Sequence, residues 1–355
     1  MELGNVNLNK DEKTKRKKYI LQNSVRVCFS SYGLPPSEEA IKKWIVFSEI
    51  TAPSDMYITA NNRTKSLRFK TDKLEKAIDE NKFLSFSLTN LDNVYNVYDI
   101  SVRIYAHSSC FCADIPLDYF TGHQAEIEKL FTELNCCFGY VDNLFDTLWV
   151  QNGMFLDIEN LYNITEEDCD EIRDVKPLPG YDEQKYLDKS NMPGYVQEYV
   201  ALRFTSAPIM YIGNDFYRFF DKDVVMKFSD CEDNLMINDT TRRIVLTNDL
   251  LKYNDPSFRR RQRSFRSALN INEIIDGYIR NPMVYKNAES EMIAKSSLSI
   301  EISRGNFEHG GTLLVRAYVN KRNNSCEKSK AYAYIETEFA DDGMVWQKKF
   351  KINTQ

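Results

Sequence analysis

Between Leu298 and Ile352 the chain alternates apolar with polar side chains in four successive runs, Leu298–Arg304, Thr312–Val319, Ala331–Ala340 and Val345–Ile352. A period of two sends neighbouring side chains to opposite faces of a strand, so each run reads as a strand with one face toward a core. Asp341, Asp342 and Gly343 form a tight connection between the last two runs, and an antiparallel meander is the natural fold for the set. The same alternation appears earlier. Ser24–Ser30 carries Val25, Val27 and Phe29 on one side, Phe83–Leu88 alternates, and Tyr98–Ala106 points Ile100, Val102, Ile104 and Ala106 inward. Shorter strand candidates are Met56–Thr59, Ser66–Phe69, Tyr199–Phe204, Ile209–Ile212, Val224–Phe228 and Arg243–Thr247.

Helices separate these runs. Ser37 is a predicted N-cap with Glu38 and Glu39 in the first turn, and Leu74, Ala77 and Ile78 share one face of a helix over Asp72–Asp79. Pro116 and Leu117 open a helical stretch that reaches Leu134. Asp255 with Pro256, and Asn270 with Glu273, are predicted to start two more. Helices grouped apart from strand runs predict an α+β chain of antiparallel sheets with segregated helices in two halves, closing on the C-terminal meander.

A length of 355 residues exceeds the ~100–150 residues usual for one domain. Val175–Gly194, with Pro177, Pro179, Gly180, Pro193 and Gly194, holds the densest turn chemistry. The predicted organisation is therefore a flexible charged segment at 1–23, an α+β domain at 24–180 and a strand-rich α+β domain at 181–355. With 21 Tyr and 21 Phe the chain is rich enough in aromatics to be folded nearly throughout. A net charge of -6 gives no global attraction to nucleic acid or an anionic membrane. The polar N-terminus lacks the apolar stretch of a signal peptide, and no run approaches the ~18 apolar residues of a membrane span, so a cytoplasmic location is expected. There the eight cysteines are expected as free thiols.

Soft metal ligands concentrate in His107, Cys110, Cys112, His123, Cys136 and Cys137. A metal site there requires a turn between Ala106 and Cys110. If the strand runs on, Cys110 and Cys112 share the inward side with Val102 and are small buried thiols. On that reading no metal and no cofactor is expected. Only three histidines exist, no Gly-x-Ser-x-Gly elbow occurs, and His309-Gly310-Gly311 leads into a strand as a hairpin turn would. Walker-type and Gly-x-Gly-x-x-Gly phosphate loops are absent from the sequence. Asp215, Asp221 and Asp223 are assigned to turns around Phe216–Phe220. Asp174 followed by Glu183-Gln184-Lys185 has the letters of a metal-dependent nuclease, but Pro179 and Gly180 predict a turn or helix start there.

Two charge features remain. Arg259, Arg263 and Arg266 flank a stripe of Phe258, Phe265 and Leu269 on one helix, a predicted phosphate- or anion-binding set unless the arginines pair with the chain's own acids. Glu166, Glu167, Asp168, Asp170, Glu171 and Asp174 form an anionic ridge for a partner. Few histidines, no known catalytic loop and many aromatics fit a protein that works by surface complementarity. The first expectation is a non-enzymatic protein-binding protein, of the immunity or defence-related inhibitor type, that neutralises a basic partner. The alternative is nucleic-acid binding through the Arg259–Arg266 helix; a second is a metal-dependent hydrolase or nuclease whose site carries no recognised motif.

Overall fold

The computed structural model describes residues 10–32, 36–60, 63–79, 85–90, 98–104, 108–151, 174–178, 181–188, 192–199, 202–280, 300–304, 308, 313–321, 326–339 and 345–352. In chain order these form α1 (Lys10–Gln22), β1 (Ser24–Tyr32), α2 (Glu38–Trp44), α3 (Ser48–Thr51), β2 (Asp55–Ala60), β3 (Arg63–Arg68), α4 (Thr71–Asp79), β4 (Ser85–Thr89), β5 (Ile100–Ile104) and β6 (Ser108–Pro116). There follow α5 (Leu117–Gly122), α6 (Gln124–Glu133), β7 (Cys136–Asn143), α7 (Leu144–Gln151), β8 (Asp174–Leu178), β9 (Tyr181–Asp188), β10 (Gln197–Tyr199), β11 (Leu202–Phe204) and β12 (Ile209–Ile212). The last are α8 (Lys222–Lys227), β13 (Asp233–Met236), β14 (Arg242–Val245), α9 (Pro256–Ala268), α10 (Ile271–Arg280), β15 (Ile300–Arg304), β16 (Leu313–Val319), β17 (Ala333–Phe339) and β18 (Val345–Lys351).

Ten strands make one sheet in the order β13-β14-β12-β7-β1-β6-β5-β4-β2-β3, and each defined register in it is antiparallel. The C-terminal runs form the expected meander, β15-β16-β17-β18. The α+β architecture read from the alternation and the caps is the one observed.

The predicted boundary at 180/181 is displaced. β12, from beyond it, pairs with β7, from before it, so one sheet spans the proposed junction. The main division between the two compact units falls instead at Ile271/Asn272, with 33–35 and 105–108 grouped with the second; the first carries the ten-stranded sheet, apart from Ser108, and the second the meander. The turn-rich segment supplies a two-stranded β8-β9 ribbon. The segment expected to be flexible is a helix from Lys10 onward; Leu21 is buried, and Asn143 Nδ2 donates to the Gln22 carbonyl at 2.9 Å.

The sheet's core face follows the sequence pattern. Val25, Val27 and Phe29 of β1 pack with Ile41 and Trp44 of α2, Leu74 and Ile78 of α4 and Leu130 and Phe131 of α6. Phe29 stands at the centre, its ring 5.5 Å from Trp44, 5.2 Å from Phe131 and 6.0 Å from Tyr211. Fully burying each such ring stabilises the fold by about 1.5–3 kcal/mol. Gly139 on β7 makes room for them: a Cβ there would lie 2.6 Å from Phe29 Cδ1 and 2.9 Å from Phe131 Cδ2.

Two local expectations change. Val224–Phe228 is not a strand: Val224 to Lys227 are helical and Phe228 is the residue after the helix, because the Asp221 side chain caps α8 by accepting from the amides of Asp223 and Val224. Here the cap overrides the weak β preference of two adjacent valines. Asn270 does not cap α10 from an extended conformation; its φ of 51° makes it the left-handed residue after α9. Ser37 and Asp255 cap α2 and α9 as predicted.

Candidate functional site

The opposite face of the central strands is also buried, and its side chains are polar. β5 ends at Ile104, β6 begins at Ser108 and the two pair antiparallel, so of the two expectations, a continuous strand or a turn before Cys110, the turn is the one observed. The reversal changes the side-chain parity. Phe111 faces Val102 across the pair, and Cys110 and Cys112 face Arg103 and Ser101 instead, away from the apolar core. On the adjacent β1, Arg26 and Cys28 point to the same side, as do Tyr140 and Asp142 of β7, their cross-strand partners in the reverse order.

Along this face Arg26 grips Asp114 with two hydrogen bonds, Nε to Oδ1 at 2.6 Å and Nη2 to Oδ2 at 2.7 Å. One step along, Cys28 Sγ lies 2.9 Å from Cys112 Sγ and 3.6 Å from Cys110 Sγ, with Cys110 and Cys112 also 3.6 Å apart. β11 packs on β1 and β7 here and brings Arg203, whose Nη1 is 3.1 Å from Cys112 Sγ and whose backbone N–H donates to Ser30 Oγ. Burial alone would raise Cys28. Hydrogen bonds from Cys110 and Cys112 and the Arg203 charge outweigh it, holding Cys28 well below the usual thiol value. The proton is kept on the other two: hydrogen bonds to its neighbours and burial push Cys110 well up. Cys112 is drawn down by Cys110, but Cys28 and burial dominate and bring it to about 11. The arrangement is three sulfurs within 3.6 Å of one another with a guanidinium against them, which favours negative charge on Cys28. The Tyr140 hydroxyl beside them is buried and interacts with Cys28, and burial and Cys28 raise its pKa well above the usual value.

A second feature lies at the outer edge of the same sheet. β13 is the terminal strand, and Leu235 and Met236 on it are 41% and 46% exposed. Asn234 Nδ2 donates to the Val225 and Phe228 carbonyls at 3.0 and 2.8 Å, fastening α8, with exposed Met226, to this edge. Between residues 214 and 239 there are seven acids, Asp215, Asp221, Asp223, Asp230, Glu232, Asp233 and Asp239, against Arg218, Lys222 and Lys227. An open groove of about 420 Å³ between α8 and α9 is walled by Asp223, Val224, Lys227, Phe228, Asp230 and Ser264. The other terminal strand, β3, carries exposed Lys65 and Arg68, the charge that keeps an edge from pairing; β13 contains no Lys or Arg.

The arginine helix is not the outward anion site the sequence suggested. Arg259 is 3% exposed and its Nη2 is 2.5 Å from Asp146 Oδ1 on α7; Nη1 donates to Gln262 Oε1 at 2.8 Å. Arg266, also buried, donates to the Tyr195 carbonyl at 2.6 Å and to Gln197 Oε1 at 2.9 Å. Arg263 alone of the three is exposed. The competing reading, pairing with the chain's own acids, describes Arg259; Arg266 is engaged by a carbonyl and an amide side chain instead. Of the acidic ridge, Glu166, Glu167, Asp168, Asp170 and Glu171 lie outside the described residues, and Asp174 opens β8. His107 and His309 also lie outside them, while His123 stacks on Tyr119 at 4.0 Å. Glu183-Gln184-Lys185 sits on a strand after all, β9, but Asp174 pairs with Asp188 at the far end of that ribbon. Among the described residues the one group with metal-ligand atoms converging within 4.8 Å is Cys28, Cys110 and Cys112. Sequence reasoning passed over Cys28 because it stands 82 residues before Cys110. Its place on the polar side of an alternating strand was the available signal.

No helix among the described residues is long and apolar enough to cross a membrane. No family model matches the chain, and no curated protein matches it. Among solved structures it is similar to the Pseudomonas aeruginosa T6SS protein PA0821, at 12% identity and a TM-score of 0.40 over 70% of this chain and 73% of that one, too low a likeness to carry function across.

Proposed function

We propose that the protein is a non-enzymatic cytoplasmic binding protein that captures a basic partner protein along the β13 edge of its large sheet, in the manner of an inhibitor or immunity protein. The observation that carries this reading is the contrast between the two ends of that sheet. β3 is guarded by cationic side chains, whereas β13 carries none and offers exposed Leu235 and Met236, with Asp230 and Asp239 near its ends and Glu232 and Asp233 paired to Arg261 and Arg243. An extended segment of a partner adds to such an edge by main-chain hydrogen bonds, with apolar side chains and the groove beside α8 selecting its sequence. Acids around the edge favour a cationic partner and speed its approach.

The test is affinity capture from the native host with wild type beside Leu235→Lys/Met236→Lys and Asp230→Lys/Asp239→Lys. One basic protein retained in stoichiometric amount by wild type and lost from both variants is the expected result. Equal retention by all three chains, or nuclease-sensitive retention alone, would overturn the reading. The nucleic-acid alternative has lost two of its three guanidiniums to internal contacts.

A further inference from the structure

We propose that Cys28, Cys110 and Cys112 form a binding site for a soft divalent cation of the zinc class, with the Tyr140 hydroxyl as fourth donor. The sulfurs come from two neighbouring strands and meet at 2.9, 3.6 and 3.6 Å in a buried, polar pocket. Thiolate–zinc bonds of about 2.3 Å at tetrahedral angles set sulfurs about 3.8 Å apart. The cluster therefore needs to open by less than about 1 Å to accept the ion. Three sulfurs aimed at one point are more than a disulfide uses, since a bond between any two leaves the third unexplained.

Nor does the pocket resemble ordinary packing of cysteine among hydrocarbon. Its walls are Arg203, the Arg26–Asp114 pair and the buried Tyr140 hydroxyl, a polar group beside Cys28 where a fourth ligand belongs. Arg203 Nη1 donates to Cys112 Sγ at 3.1 Å, the outer-shell hydrogen bond that orients a metal-ligating sulfur. Charge also balances. Three thiolates, one dication and one guanidinium sum to zero, which removes the main cost of ionising three thiols in a buried site. Sulfur-rich donors select zinc-class and other soft ions over magnesium or calcium.

The chain should be purified in reducing, chelator-free buffer, assayed for metal, and then loaded with Co²⁺, whose thiolate charge-transfer absorption reports sulfur ligation. One metal per chain, and a Co²⁺ signal abolished by one equivalent of Zn²⁺, are expected. Cys28→Ser and Cys112→Ser should lose the metal, Arg203→Gln should weaken affinity about 10–100-fold, and Cys231→Ser, half-buried outside the cluster, should keep it. If the serine variants fail to fold, the wild type still decides the matter: chelation should lower its thermal midpoint and Zn²⁺ should restore it. The proposal is overturned by substoichiometric metal without the cobalt absorption, by metal retained in Cys28→Ser/Cys112→Ser, by a midpoint indifferent to chelation, or by a Cys28–Cys112 disulfide in protein isolated with its thiols blocked.

Discussion

Arg259→Met is expected to damage the fold of the first unit, and the size of the effect follows from the buried pair it breaks. The Arg259 and Asp146 side chains are 4% and 0% exposed and meet at 2.5 Å. Removing the cation leaves a carboxylate in the interior close to Asp142, itself raised well above the ordinary carboxyl value by burial and by Asp146. Breaking one side of such a pair costs about 3–5 kcal/mol, a large part of the ~5–15 kcal/mol that holds a domain folded. Asp146→Leu is expected to cost about as much, because it strands the guanidinium. Replacing both together with apolar side chains of similar volume should cost no more than about 1 kcal/mol, where independent effects would add to ~6–10 kcal/mol. Urea midpoints of the four chains, read by tryptophan fluorescence, measure the coupling; nucleic-acid binding at low salt is recorded on the same samples. An Arg259→Met chain with an unchanged midpoint and a selective loss of nucleic-acid binding would refute the reasoning and restore the arginine helix as an outward site.

Asp99 is raised to about 6, mainly by burial and then by Asp114, and accepts a hydrogen bond from Ser87 Oγ at 2.7 Å. The folded chain holds this proton where the unfolded chain releases it, so Asp99 subtracts stability as pH rises from about 4 through 6, a loss of about 2 kcal/mol after allowance for its partial exposure. Asp99→Asn should therefore gain about 2 kcal/mol at pH 8 and nothing at pH 4 in urea titrations; equal gains at both pH values would contradict the assignment. Gly139→Ala should lower the thermal midpoint by the equivalent of about 1–3 kcal/mol, since its Cβ meets two buried rings, and an unchanged midpoint would mean those rings give way freely. Asp255→Ala should cost about 1 kcal/mol and speed amide exchange at Ser257 and Phe258, which its carboxylate caps; unaltered exchange there would count against the cap.

The parts of the fold legible in the sequence were those decided locally. Val25, Val27 and Phe29 announced a strand, Ser37 and Asp255 their helices, and the four C-terminal runs their meander, because period and capping act over a few residues. What was not legible depended on parity and distance. A reversal between Ile104 and Ser108 sends Cys110 and Cys112 to the face opposite Val102, and no composition rule in that stretch signals it. Cys28 and Arg203 join those cysteines only after strands far apart in sequence become neighbours. The same long-range pairing, β12 on β7, erased the apparent boundary in the turn-rich segment. Charge misled for a related reason. Arg259 and Arg266 lie on the flank of an amphipathic helix, and whether that flank meets solvent or Asp146 and Gln197 depends on what the helix packs against.

The most direct test of the account is hydrogen–deuterium exchange on the protein with and without the basic partner recovered by wild-type capture. The account predicts that the amides of Asp233–Met236 become strongly protected in the complex while those of Arg63–Arg68 at the opposite edge are unchanged. Protection that bypasses β13 would contradict the edge-binding reading even if the complex itself is tight.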